Sequence, residues 1–402
     1  MHSIFTAFFT GSEYRACGKT TQSDSGKNGR NTRVKIGQLT FHASHNYGSV
    51  LQAYALSRQL QLLGHEPEII NLRPQTQRDA YKIIRDNDKG IHRVFHCMIY
   101  PWLRRRFNEY ERFITTILPI TQEEYHTTEE LRECHFRYDA FVCGGDQIWN
   151  PACQDFEPAY FLQFLNADDK ARKISYAPSL GKSKFDEPTI QQIGKWIRCF
   201  DEISVREAEG AALIKSVVDK PIHTVCDPVL LLDRAEWECL AKRPNLKKPY
   251  ILVYFLENNH GSRSLTEYLR KTLSYDVVIF NEYIRDFVKP YHKAYSASPE
   301  EYVGLFLDAG FVYTNSFHGT AFATLFEKPF LTSIAIDQEN VQNNNDSRKI
   351  DYLKRLGLEN RLYTSGKPTR DELLAVDFTS AKVKMESFRE ESLEYLKEAL
   401  KD

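Results

Sequence analysis

From Val34 onward the chain repeats one rhythm: a short apolar run, a turn rich in glycine, proline or asparagine, then apolar residues at helical spacing. The run "VKIGQLTFH", residues 34–42, has the β-branched and aromatic content of a strand. After it Val50, Leu51, Tyr54, Leu56, Leu60 and Leu63 recur every three to four positions until Gly64 stops the helix they predict. Glu68 to Leu72 reads as the next strand, and a β-α-β unit implies a parallel sheet with a crossover helix. Residues 75–136 are charged, basic around Arg104 to Arg106, and predicted to be a helical excursion rather than sheet. The rhythm returns in "YDAFVCGGDQIWNP", "ARKISYAPSLG", "EISVREAEGAALIKS" and "IHTVCDPVLLL". A polar, proline-bracketed stretch, "RPNLKKPY" at 243–250, precedes a second series: "YILVYFLE", "YDVVIFNEY" and "AGFVYTNSFHGTAFATLFEKPFLTSIA". The chain closes on the helical pattern "ESFREESLEYLKEALKD".

The organisation expected is an α/β chain of two doubly wound, Rossmann-like domains facing a cleft. The first spans 34–242 and contains the excursion 75–136; the second spans 250–380, and a C-terminal helix covers 381–402. Residues 11–33 carry almost no aliphatic side chains, so 1–33 are expected to form a disordered leader.

Charge narrows the function. Lys+Arg number 53 against Asp+Glu 54, a formal net charge of -1. No global field draws such a chain onto nucleic acid, and membrane contact is at most peripheral. The basic, aromatic stretch "IYPWLRRRFNEYERF", residues 99–113, fits a membrane surface or a solvated helix face. The eight cysteines, at 17, 97, 134, 143, 153, 199, 226 and 239, form no C-x-x-C pair, and several lie inside apolar runs. That usage suits a reducing, cytoplasmic setting. No run reaches the ~18 apolar residues of a membrane span, and Ile4 to Phe9 lacks the basic start of a secretion signal.

Ligands of doubly wound sheets bind beyond the carboxyl ends of the strands, so the loops that follow the predicted strands hold the candidate chemistry. After the first strand come Asn46 and Gly48, with Ser49 as the expected N-cap of a helix whose free N–H groups suit an anion or a sugar hydroxyl. In "CGGDQIWNP", Asp146 either orients an acceptor hydroxyl as a base or caps its own turn. Arg206 follows an apolar strand directly, poised for bidentate binding of carboxylate or phosphate or else for an internal ion pair with Glu207 or Asp227. His318 stands in the corresponding loop of the second series, beside Ser316, Gly319 and Thr320. A helix N-terminus disfavours imidazolium until an anion binds, which makes His318 a candidate acid/base and anion ligand. Arg348, in the first turn of a later helix, adds a cation to the cleft or remains an exposed helix charge. No convincing metal-ligand cluster is present.

Taken in order, "TFHASHNYGSVLQAYAL", "YDAFVCGGDQIWNP", "ISYAPSLG", "ISVREAEG", "VCDPVLLL" and "TNSFHGTAFATLFEKPF" resemble the polysaccharide pyruvyl transferase family over roughly residues 34–362. The resemblance implies a glycosyltransferase-B-like fold. It also implies transfer of pyruvate from phosphoenolpyruvate onto two hydroxyls of a sugar, forming a cyclic ketal with no cofactor beyond that donor substrate. The acceptor would be a glycan or glycan precursor, with a lipid-linked form left open. In the family the arginine of the SVRE-type block and the histidine of the SFHG-type block are associated with donor binding or catalysis, which maps onto Arg206 and His318. Asn46, Gly48, Asp146, Ser316 and Arg348 would complete the site. Two other functions fit the same architecture: a nucleotide-sugar-dependent glycosyltransferase and a non-catalytic glycan-binding protein.

Overall fold

Strands under helices on both faces of a sheet are buried on both sides and read as unbroken apolar runs, and most of the predicted runs are such strands. The computed structural model describes residues 33–84, 89–166, 168–181, 184–256, 260–334 and 347–401. The expected leader, apart from Arg33, lies outside them. The first sheet holds β1 (Lys35–Leu39), β2 (Glu66–Leu72), β3 (Ile120–Tyr125), β4 (Ala140–Gly144) and β5 (Arg172–Tyr176) in the order β3-β2-β1-β4-β5. Every pairing is parallel; Ile36 of β1 faces Pro67 on one side and Ala140 on the other. The chain leaves β1 toward β2 and β3 and returns to lay β4 and β5 on the opposite flank. A short parallel pair, β6 (Ser204–Val205) and β7 (His223–Thr224), lies beyond β5, which it approaches through the bridge between Ile174 and Glu202.

The second sheet contains β8 (Tyr250–Tyr254), β9 (Asp276–Ile279), β10 (His292–Lys293), β11 (Phe311–Thr314), β12 (Phe330–Ser333) and β13 (Leu362–Tyr363), ordered β10-β9-β8-β11-β12-β13. It too is parallel throughout. Both sheets are doubly wound, as the sequence predicts. Their topological switch points lie between β1 and β4 and between β8 and β11, where loops diverge and leave a crevice.

The excursion needs a correction. Residues 75–136 do carry the helices Gln75–Ala80, Gly90–Met98, Tyr100–Thr116 and Thr128–Arg132, but β3 lies inside the range and forms an edge of the first sheet. Its sequence, ITQEEY, has only Thr121 well buried, so an edge strand left mostly to solvent shows no apolar run.

One apolar cluster passes through both halves of the molecule. Tyr47 stacks on Tyr302 with centroids 4.4 Å apart, and Trp237 meets Phe322 edge-on at 4.9 Å. Two helices strap the halves together. Within Tyr100–Thr116, Arg105 pairs with Glu301 at 2.8 Å, Arg106 with Glu282 at 2.5 Å and Arg112 with Glu300 at 2.5 Å. The long helix Phe378–Ala399 sets Phe388 under the Arg355 guanidinium, 3.9 Å from the ring centroid. It then returns to the first half. The Arg389 Nε–H donates to the Leu230 carbonyl at 2.5 Å, the Cys226 amide to Ser392 Oγ at 2.9 Å, and the Tyr395 hydroxyl to the Ser175 carbonyl at 2.9 Å. Among the described residues no helix is long and apolar enough to cross a membrane.

Candidate active site

The loop after β1 prepares one wall. Asn46, not Ser49, caps the helix Tyr47–Leu62: its backbone is extended and its side chain accepts the Gly48 N–H at 2.9 Å. Asn46 reaches the first turn before Ser49 does, and the Ser49 hydroxyl is thereby available to donate to Asp146 Oδ2. Gly48 has a different reason to be glycine. A Cβ there would lie 2.1 Å from His318 Nδ1, so the imidazole packs directly on the backbone of this helix turn. The two switch-point loops therefore touch.

His318 lies in the first turn of the helix Phe317–Leu325, which Ser316 caps by accepting the Gly319 N–H at 3.3 Å. Its Nε2 stands 3.4 Å from Asp227 Oδ2, an ion-pair separation rather than a well-formed hydrogen bond. That nitrogen is buried and has no hydrogen-bond partner among the described residues. Arg206 reaches the same carboxylate. Its Nη1–H donates to Asp227 Oδ2 at 2.5 Å, its Nε–H to Glu207 Oε1 at 3.3 Å, and its guanidinium carbon sits 4.7 Å from the centre of the Phe317 ring. The internal ion pair is thus real, with both partners the sequence offers. It leaves Nη2 buried and likewise without a partner.

Asp227 joins these cations. It follows β7 and caps the 3-10 turn Pro228–Leu230, its Oδ1 accepting the Val229 N–H at 3.0 Å. Burial opposes its ionisation, but His318 and then Arg206 outweigh that cost and hold the carboxyl well below the usual range. Asp146 occupies a left-handed backbone conformation, φ 50, and its Oδ1 accepts the N–H of Gln147 at 2.9 Å. It caps its own turn, as one reading expects, while also holding Ser49 and adding negative potential at Arg206 and Arg348.

Arg206 and Arg348 share the wall of a cavity of ≈ 290 Å³, together with Glu207, Asp227, Phe317 and Tyr352. Burial, and then the like charge of Arg206, push the Arg348 guanidinium below its ordinary pKa. His318 reaches this group through Asp227 and does not line the cavity itself. Among the described residues no set of three or more His, Cys, Asp or Glu side chains converges as a metal site.

A family model for polysaccharide pyruvyl transferases matches residues 46–338, the stretch that contains both switch points. The chain belongs to the polysaccharide pyruvyl transferase family. Its sequence finds no match among curated proteins. Solved structures with a similar course of the chain include an inferred UDP-N-acetylglucosamine 2-epimerase from Listeria monocytogenes (10% identity, 89% of this chain and 91% of that one, TM-score 0.49). The UDP-GlcNAc 2-epimerase from Neisseria meningitidis bound to UDP-GlcNAc (11%, 92% and 99%, TM-score 0.44) is another. The glycosyltransferase SnogD from Streptomyces nogalater (12%, 92% and 100%, TM-score 0.41) is a third.

Within this family member the residues singled out from sequence fall into three groups. Arg206 and His318 come together around Asp227, and Arg348 shares a cavity wall with Arg206 and Asp227. Gly48 and Asp146 buttress that group, one by packing under His318 and the other through Ser49. Asn46 and Ser316 have their side-chain oxygens engaged in helix caps. Sequence reasoning named Asp227 only as a partner for Arg206; the signal for more was an aspartate ending a strand before proline in "VCDPVLLL". It missed Lys349 altogether. That buried Nζ donates to the Asn315 carbonyl at 2.8 Å and the Ser333 carbonyl at 2.6 Å, fixing the helix Ser347–Leu356, and with it Arg348, over the ends of β11 and β12.

Proposed function

We propose that this family member transfers pyruvate from phosphoenolpyruvate to two hydroxyls of a sugar or glycan, forming a cyclic ketal and releasing phosphate. The observation that carries the reading is Arg206: buried, held by Asp227 through Nη1, with Nη2 still unpartnered, and sharing a cavity with Arg348. Arg206 and Arg348, with Arg355 and Lys354 also on the wall of this cavity, suit a compact donor that bears both a carboxylate and a phosphate.

The reaction asks for one proton delivered to the methylene carbon and one taken from each hydroxyl. As the methylene is protonated, an acceptor oxygen bonds to the central carbon. The bond from that carbon to the phosphate oxygen breaks, the second hydroxyl closes the ketal, and phosphate carries away the remaining proton. His318, packed on Gly48 and with its Nε2 3.4 Å behind the Asp227 carboxylate that lines the cavity, is assigned the proton to the methylene, which requires the methylene end of the donor to reach past Asp227 toward Nε2. Asp146, with Ser49 on its carboxylate, is assigned the hydroxyl proton. The described cysteines are all free, which supports a reducing, cytoplasmic setting.

Calorimetric titration with phosphoenolpyruvate tests the reading. Wild type should bind, and Arg206→Ala should weaken binding at least tenfold, each tenfold being about 1.4 kcal/mol. Arg206→Lys should not restore it, because an ammonium lacks the bidentate fork. A folded wild type that ignores phosphoenolpyruvate with and without a sugar acceptor, yet is stabilised by uridine diphosphate, would replace this reading with nucleotide-sugar chemistry.

A further inference from the structure

The helix Gly90–Met98 buries only one edge of its apolar side. Phe95 is buried and meets Phe287 edge-on, with centroids 5.6 Å apart, so the helix is anchored on the second half of the molecule. The next helix continues from Ile99, which is fully buried. Flanking Phe95 on the solvent side, Ile91, Val94 and Met98, spaced three and four apart so that they share one face, are 68%, 70% and 52% exposed. Val288, next to Phe287, is 81% exposed. Single exposed apolar residues need no explanation, but a stripe on one helix face with another beside its anchor marks a contact surface.

The charge around the stripe identifies what it contacts. Residues 89–108 contain five Lys or Arg residues, Lys89, Arg93, Arg104, Arg105 and Arg106, and no Asp or Glu, in a chain whose formal net charge is -1. Arg105 and Arg106 turn inward to Glu301 and Glu282, whereas Lys89, Arg93 and Arg104 are exposed. Lys289, exposed beside Val288, is a further cation, 3.8 Å from Glu267. A partly exposed Trp102 completes the composition of an interfacial segment. We infer that the helix Gly90–Met98 and the start of Tyr100–Thr116 form a surface that docks reversibly on an anionic lipid bilayer, with Ile91, Val94 and Met98 entering the headgroup boundary and the exposed cations around them, Lys89 at the N-cap and Arg93 on the rest of the same helix and Arg104 on the next, drawn to the anionic surface within a Debye length.

The docking surface adjoins a second cavity. His92 and His96 line a space of ≈ 380 Å³ with His45, Lys82, Arg106 and Phe107. Docking holds that space within about one helix diameter, roughly 10 Å, of the membrane surface. An acceptor anchored in the bilayer could reach it without leaving the lipid.

The inference does not depend on the identity of the donor, and its test uses none. Full-length protein is sedimented with vesicles of equal parts phosphatidylglycerol and phosphatidylcholine, with phosphatidylcholine alone, and at low and high salt. Wild type should bind the anionic vesicles and release in high salt or on zwitterionic lipid. The triple variant Ile91→Ser, Val94→Ser, Met98→Ser should lose binding by about tenfold or more with an unchanged melting temperature. Arg93→Glu with Arg104→Glu, which keeps the stripe, should lose it as well. Failure of wild type to bind anionic vesicles at low salt would overturn the proposal, as would undiminished binding by the triple variant. So would a concentration-dependent dimer that the triple variant abolishes, since the stripe would then be an interface between copies.

Discussion

Gly48 shows how little the site tolerates. Its missing side chain is the space that the His318 imidazole fills, because a Cβ would come within 2.1 Å of Nδ1. In Gly48→Ala the ring must move, and a displacement of about 1 Å costs on the order of a hundredfold in rate. For the proposed reaction that loss should fall on kcat, with the KM for the proposed donor, phosphoenolpyruvate, nearly unchanged because Arg206 and Arg348 keep their places; steady-state kinetics separate the two. A second histidine reports on stability. His42 is fully buried after β1, its Nε2 3.0 Å from Asn71 Oδ1. Burial lowers its pKa from 6.5 to about 4, assisted by Arg73 and opposed by the Asn71 hydrogen bond. The folded value lies below the unfolded one, so the unfolded chain takes up the proton first as pH falls. The contribution is complete above pH 6.5 and lost toward pH 4. At about 1.4 kcal/mol per pKa unit it amounts to roughly 3 kcal/mol. Urea unfolding of wild type and His42→Gln at pH 7.5 and 4.5 should show wild type losing more stability than the variant by about that amount.

At the scale of elements, the inward-facing arginines of Tyr100–Thr116 do more than decorate a helix. Glu300 is fully buried and receives Arg112 at 2.5 Å and Lys242 at 3.4 Å. Arg112→Ala removes the closer partner and should lower unfolding free energy by about 2 kcal/mol, the range for a hydrogen bond to a buried charge, measured in urea at neutral pH. From sequence these arginines look like a basic solvated face, because the acids that receive them lie in the second half. The elements that were legible are those whose environment is uniform along their length: β4 (AFVCG), β8 (YILVY) and β11 (FVYT) are buried at every position and read as apolar runs. β3, polar and at an edge, was not, and the two-residue strands β10 and β13 are too short to carry a period. The site divides the same way. Arg206 and His318 stand out as polar residues at the ends of apolar strands. Lys349 sits in a charged helix, where only packing against β11 and β12 reveals that it is buried. The contact of Gly48 with His318 joins two sheets and has no local signature.

At the scale of the whole molecule, the two doubly wound sheets are not independent bodies joined by a tether. Their apolar cores are continuous, and Asp227, from the first half, is the carboxylate that His318, from the second, requires. Any motion that opened the cavity at Arg206 and Arg348 would have to slide Tyr47 over Tyr302 or lift the long helix Phe378–Ala399 from the first half. That helix also bears on biosynthesis. The Cys226 amide and the carbonyls of Leu230 and Ser175 find their partners in Ser392, Arg389 and Tyr395, residues near the end of the chain. On the ribosome, the half translated first therefore cannot settle its backbone beside Asp227 until the helix Phe378–Ala399 has emerged. The wall of the cavity at Arg206 that Asp227 supplies thus takes its final form after the second sheet has been made, not before it.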